Sequence, residues 1–499
     1  MRNFLLVFLL LSGTLALGQE DAVFTAQVRH TIDELVDFVA LPNDALEPSD
    51  IERNLRWLTA KFSERGFNTS ILPTEGQPLF FAALPLKEEK PTLLFYMHFD
   101  GQSVDPSKWD QPDPYKAVLK APRNGGWETL PFSALNDSIP AHWRLYGRST
   151  SDDKGPIVMF LNTLDLLRKT GEELAYNVKV ILDGEEEKSS KPLPKAVQQY
   201  RELLEADYLL ISDGPVHVSG QPTVVYGCRG ITSMTLTTYG PVRPQHSGHY
   251  GNYAPNPAFR LAALLASMKD EDGKVSIPGY YDGITLSESD QEVLRAVPDD
   301  PEAIHAMLQI RKPERVGAFY QEALQYPSLN IRGLGSAWIG PEARTIVPAT
   351  ATAELDLRLV PETDGTRLKN LVKKHIEVQG YRIADSIPTP EMRAAHDKWI
   401  TIREGSVTDA FRTPLDNPFG QHLVQTLNET FGTPVVQIRI MGGTVPIAPF
   451  INALKIPAFI LPLVNPDNNQ HSPNENLELG QVAYGLNALK AILTTPMGR

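Results

Sequence analysis

Four short apolar runs constrain this chain most: Thr92–Met97, Val178–Leu182, Tyr208–Ile211 and Ala458–Leu463. Each is too short for a buried helix, and none alternates polar with apolar residues. Between the first three lie stretches with the three-and-four apolar spacing of helices, such as 155–167, where Pro156 opens the first turn and costs no hydrogen bond. Continuous apolar strands alternating with helices predict a sheet covered on both faces. Helices are also expected at 24–40, 50–66, 365–378, 421–431 and 479–493, and a further apolar strand at 435–440.

The texture changes near residue 228. Thr232–Thr238 and Thr352–Leu359 alternate polar and apolar residues, as an antiparallel strand with one wet face does. The α/β pattern then resumes. The simplest organisation is a leader at 1–18, a main domain made of 19–229 and 386–499, and an inserted α+β domain at 230–385.

Composition narrows the function classes. With 60 acidic against 47 basic residues and a net charge of -13, nucleic acid and anionic membrane are poor partners. Arg2, the apolar run Phe4–Leu11 and the small residues Ala16–Gly18 form the three-part layout of a secretory signal. The run falls short of the roughly 20 apolar residues a membrane anchor needs, so export to periplasm or medium without an anchor is expected. Cys228 is the sole cysteine, which excludes an intramolecular disulfide, and its surroundings match no thiol-protease pattern. A Gly-x-Ser-x-Gly elbow is missing, which disfavours a serine hydrolase.

Chemistry concentrates at the strand ends. The strand at 92–97 runs into His98-Phe99-Asp100, where alternation puts His98 and Asp100 on one face, so Asp100 can orient the imidazole. Asp152 precedes the helix at 155–167. Asp183-Gly184-Glu185-Glu186-Glu187 ends the strand at 178–182, Asp213 follows 208–211, and His471 follows 458–463. In open α/β sheets, ligands gather beyond the carboxyl ends of the strands. Imidazoles and carboxylates collected there would repel one another without cations, and the set suits zinc, or manganese or cobalt with more oxygen ligands.

With those residues in view, the chain resembles the M20 family of di-zinc metallopeptidases, in particular its carnosinase-like and bacterial dipeptidase branch. The resemblance rests on His98-x-Asp100, on Gly147-Arg148-Ser149-Thr150-Ser151-Asp152-Asp153-Lys154-Gly155, on the glutamate run, on Asp213 and on His471. It implies a mixed-sheet, zinc-exopeptidase-like catalytic domain with an inserted lid and dimerisation domain, and a homodimer. It implies two divalent ions, one on His98 and Asp213, the other on Glu187 and His471, bridged by Asp152, with a cis peptide after Asp152. Glu186 becomes the general base acting on a water between the ions. Ser189-Ser190 favours this register over one using Glu185 and Glu186. His246, in Gln245-His246-Ser247-Gly248, corresponds to a lid histidine that polarises the scissile carbonyl. Thr345 and Arg358 correspond to residues holding the substrate's carboxylate end, and Gly443 and Thr444 to a substrate-binding loop. The implied activity is hydrolysis of dipeptides or short peptides with a free C-terminus. An N-acyl amino acid amidohydrolase and a non-catalytic exported binding protein are the alternatives. The segment between His98 and Asp152 is longer than this branch needs, with extra chain at about 109–139.

Overall fold

The computed structural model describes residues 22–445 and 447–498. The leader expected at 1–18 lies outside the described residues, as does Pro446. Two compact units emerge among the described residues: one formed by those within 22–226, 413–438 and 449–498, the other by those within 227–412 and 439–448.

The first unit is built on an eight-stranded sheet. Its order is Asn68–Leu72, Leu79–Ala83, Asn177–Asp183, Thr92–His98, Tyr208–Ile211, Ala458–Ile460, Thr223–Val225, Val436–Ile438. The four middle strands, from Asn177–Asp183 to Ala458–Ile460, run parallel. Every residue of Asn177–Asp183 is buried, and so is all of Thr92–His98 beyond its first residue. This is why these strands read as continuous apolar runs.

Helices supply the cover. In Pro48–Glu64 the buried positions Ile51, Leu55, Leu58 and Phe62 recur at helical spacing, and Pro48 sits where no N–H is needed. Lys154–Thr170 is buried along most of its length and ends on Gly171 at φ 72°, a left-handed cap that glycine adopts without penalty. Residues 22–39 and Leu479–Thr494 complete the layer, and their apolar side chains join those of the sheet in one core. Val118–Arg123, Gly126–Leu130, Arg144–Tyr146 and Asn476–Glu478 form a separate four-stranded sheet. The extra segment after His98 therefore contains a hairpin that pairs with the strand leading to Asp152.

The second unit carries a five-stranded sheet ordered Ser328–Gly335, Thr350–Leu359, Gly230–Tyr239, Trp399–Glu404, Arg382–Ala384. Burial alternates strictly along Gly230–Leu236 and along Thr350–Leu359 beyond its first residue. The inward residues Met234, Leu236, Leu355 and Leu357 pack with Leu261, Leu264, Leu368 and Val372 of the helices Pro257–Ala266 and Gly365–Val378. This unit runs past residue 385 because Trp399–Glu404 pairs with Gly230–Tyr239. Cys228 is buried. No helix among the described residues is long and apolar enough to cross a membrane.

Candidate metal centre

The parallel strands deliver their end residues to one place. His98 closes Thr92–His98 and lies in register with Asp183 of the neighbouring strand. Asp213 follows Tyr208–Ile211 by two residues, and the chain after Ala458–Ile460 continues through Val464, which bridges Pro215, toward His471. Asp152 enters from the loop between Arg144–Tyr146 and the helix at Lys154, and its peptide bond to Asp153 is cis.

Two ligand triads result, and they share one residue. His98, Asp152 and Asp213 present donor atoms within 4.8 Å of one another, and so do Asp152, Glu187 and His471. His98 Nε2 lies 2.9 Å from Asp152 Oδ1, and His471 Nε2 lies 3.1 Å from Asp152 Oδ2 and 3.2 Å from Glu187 Oε2. His471 holds a left-handed backbone at φ 61°, an uncommon conformation for a non-glycine residue that is concentrated at functional sites.

Neighbouring groups fix these side chains. Asp100 is fully buried and does two jobs. Its Oδ1 lies 3.3 Å from His98 Nδ1, leaving Nε2 to face Asp152. Its two oxygens also accept the backbone N–H groups of Glu186 (3.0 Å) and Glu187 (3.1 Å), seating the short helical turn that carries both. Asp183 accepts from Glu185 N, Ser190 Oγ and Tyr96 Oη, bracing that turn from behind. Glu185 turns the other way, accepting from Gln77 N at 2.9 Å. The triad therefore contains Glu187, with Glu186 beside it and Glu185 outside. Gln102 donates to Glu187 Oε2 at 2.7 Å, and the fully buried Glu475 accepts from the backbone of Ser149, Ser151 and Asp152. Gln102 and Glu475 escaped the sequence reading, since nothing in their spacing separates them from ordinary polar loop residues, and Asp183 reads in sequence only as the end of its strand.

The electrostatics are those of a cation site. Burial raises Glu187 to about 7 and Asp213 to about 6, and in both the Asp152 charge adds to the rise. Burial also lifts Glu186 well above the usual carboxylate range, with Asp213, Glu187 and Asp100 adding to the effect against the opposing pull of His98. Conversely, the hydrogen bond to Asp152 raises His471 to about 9. His98 rises as well, because Asp100 and Asp152 outweigh its burial. Asp152 stays below its ordinary range: burial would raise it, but His471 and His98 together prevail. Imidazolium protons thus neutralise the buried carboxylates. Asp152 Oδ2, although buried, meets only His471 Nε2, 3.1 Å away and poorly aligned for a hydrogen bond. A buried acceptor in that condition is costly, and an imidazole–carboxylate donor set around it fits a divalent cation.

The remaining predicted residues lie in the second unit. His246 pairs with Ile346 across a two-residue ladder, and Ser247 N donates to Thr345 O at 2.9 Å, so His246 and Thr345 are neighbours. Both are exposed, and His246 Nδ1 accepts from Gly248 N. Arg358 Nη1 donates to Thr444 Oγ1 at 2.9 Å, and that hydroxyl donates to Arg229 O at 2.7 Å. Gly443 adjoins Thr444; a Cβ there would stand 3.0 Å from Met441 Cε.

Residues 94–495 match the model of peptidase family M20/M25/M40. The chain belongs to this family. Among its M20 relatives, human Beta-Ala-His dipeptidase is 27% identical over 478 residues, covering 89% of this chain and 86% of that one. The Cys-Gly metallodipeptidase of Candida albicans is 27% identical over 490 residues, covering 93% of each. An M20 metallo-carboxypeptidase from Sulfolobus solfataricus superposes with a TM-score of 0.74 at 25% identity, covering 93% of this chain and 98% of that one. Human carnosine dipeptidase shares the fold, with a TM-score of 0.71 at 23% identity over 95% and 98% of the two chains. As an M20 peptidase the chain is a metal-binding hydrolase with a mixed α/β fold.

Proposed function

We propose that this protein is an exported dipeptidase that hydrolyses short peptides with a free C-terminus, using two divalent ions, zinc first among them. The observation that carries the reading is the pair of triads sharing Asp152. His98 and Asp213 would hold one ion, Glu187 and His471 the other, with Asp152 between. The Beta-Ala-His and Cys-Gly dipeptidases among the relatives support a dipeptide substrate.

When bound, such ions supply Lewis acidity, polarising a carbonyl and drawing the pKa of water down toward neutrality. The chain's own groups do the rest. Glu186, seated by Asp100 beside the triads, takes a proton from the attacking water and returns it to the departing amine. Its raised affinity for protons suits a group that must both accept and donate near neutral pH. Arg358, whose planar fork can grip a carboxylate with two parallel bonds, receives the C-terminus with Thr345 and Thr444, next to Gly443. His246 donates to the carbonyl oxygen as negative charge develops there, completing a partner subunit's site in a homodimer.

Metal analysis of purified protein, followed by a panel of dipeptides and N-acyl amino acids with and without chelator, tests this. Chelator-sensitive release of amino acids from dipeptides is expected. Cleavage confined to N-acyl amino acids would move the reading to an amidohydrolase, and no cleavage with both ions bound would move it to a binding protein. N-terminal sequencing of protein from the exported fraction, expected to begin after residue 18, tests the leader.

A further inference from the structure

Glu475 accepts five hydrogen bonds and is fully buried. Its Oε1 takes Ser151 N (3.0 Å), Ser151 Oγ (2.9 Å) and Asp152 N (3.0 Å), and its Oε2 takes Ser149 N (2.9 Å) and Arg148 Nη1 (2.7 Å). A carboxylate offers about four lone-pair sites, so this one is saturated, and every donor comes from the segment that delivers Asp152. The main chain of Glu475 is tied to the same segment, because Gly147 N donates to its carbonyl at 3.0 Å.

The other end of the connection is His471, four residues earlier. Asn474, between them, has φ 62° and accepts from Asp110 N, while Asn476 enters the ladder beside Tyr146. The loop bearing His471 and the loop bearing Asp152 are therefore cross-linked, with Glu475 supplying most of the bonds and Arg148 Nη2 adding one to Ser472 O at 3.4 Å. Arg148, itself buried, neutralises that side chain and lies 5.3 Å from the ring of Trp109. Deep charges are normally retained only when paired and hydrogen-bonded. This pair meets both conditions, yet a neutral amide could fill the same volume.

We infer that Glu475 is a positioning residue for the metal centre, acting through the Asp152 main chain to set the spacing between the shared carboxylate and His471. The inference rests on the metal reading above. A glutamine at 475 keeps the shape but turns an amide donor toward N–H groups that need an acceptor, so the Asp152 loop must shift. Mutation of groups that orient metal ligands from behind typically costs about 10–100-fold in metal affinity or activity.

The experiment compares zinc affinity, cobalt absorption spectrum and metal-free melting temperature in wild type, Glu475→Gln and Arg65→Lys. Arg65, also buried, pairs with Glu34 and Asp165 and donates to the carbonyls of Lys61 and Leu161, none of them in the Asp152 or His471 loops, so Arg65→Lys controls for stability alone. Glu475→Gln is expected to bind one of two ions about 10–100-fold more weakly, with an altered cobalt spectrum and a kcat loss that exceeds any KM change. Arg65→Lys should lower the melting temperature with a much smaller loss of affinity. Wild-type affinity and spectrum in Glu475→Gln, or affinity losses that track melting temperature across both variants, would overturn the inference. If Glu475→Gln fails to fold, Ser151→Ala removes a single one of the five bonds; several-fold weaker binding is then expected, and unchanged binding overturns it. A wild-type chain that takes up no ion refutes the metal reading itself, a result distinct from a variant that binds like wild type.

Discussion

Loading the metal-free protein should expel protons, in a number fixed by the groups described above. A ligand must be deprotonated to bind a metal. His471, raised to about 9, is almost fully protonated at pH 7, and Asp100 and Asp152 shift His98 in the same direction against its burial. Glu187, at about 7, is half protonated, and Asp213, at about 6, holds only a small fraction of a proton. Binding two ions at pH 7 should therefore release about one and a half protons per chain from His471, Glu187 and Asp213, with His98 adding to the count. Because both histidine pKa values are raised, their protons are present below the shifted values and disappear as pH rises through them. The release should shrink as pH climbs past 9, and apparent affinity should weaken on acidification. At two protons the linkage is about 2.7 kcal/mol per pH unit, or roughly a hundredfold. Titration calorimetry of zinc binding, repeated in buffers of different ionisation enthalpy, counts the protons directly. Release of fewer than about one proton at pH 7 would refute the argument that imidazolium charge stands in for the cations.

Three further outcomes are expected. Glu186→Gln should keep its metal content while kcat falls by about 10²–10⁴; near-normal turnover would reject its role in proton transfer. Asp152→Ala removes the one carboxylate common to both triads, so atomic absorption should find both ions lost, whereas Glu185→Ala, which breaks only the contact to Gln77, should bind metal like wild type. Arg358→Lys should raise KM for dipeptides, because a point charge cannot reproduce a two-pronged grip, while C-terminally amidated dipeptides should respond little.

The elements easiest to read were those whose environment is uniform. Thr92–His98 and Asn177–Asp183 are enclosed on both faces and show it as unbroken apolar sequence, while Thr350–Leu359 has one covered face and alternates. Elements at the margins gave no such signal. Asn68–Leu72 is an edge strand with one buried residue, and Gly126–Leu130 has none, so their patterns match those of loops. Site geometry divides in the same way. Side chains at the tips of legible strands could be placed, and His98, Asp152, Glu187, Asp213 and His471 do come together. The support behind them depends on tertiary hydrogen bonds. Glu185 is excluded from the centre by its contact with Gln77, more than a hundred positions away in the chain, and Glu475 acts on a loop even more distant. Local sequence holds no trace of such pairings.

Ala458–Ile460 is an interior strand, wedged between Tyr208–Ile211 and Thr223–Val225. On the ribosome, its slot must therefore wait through the synthesis of the whole second unit. Until then Tyr208–Ile211 has an unpaired, apolar edge of the kind that seeds aggregation. Strand insertion would close that gap and bring up His471 in the same event, so a nascent or truncated chain would have neither a finished sheet nor its last imidazole ligand.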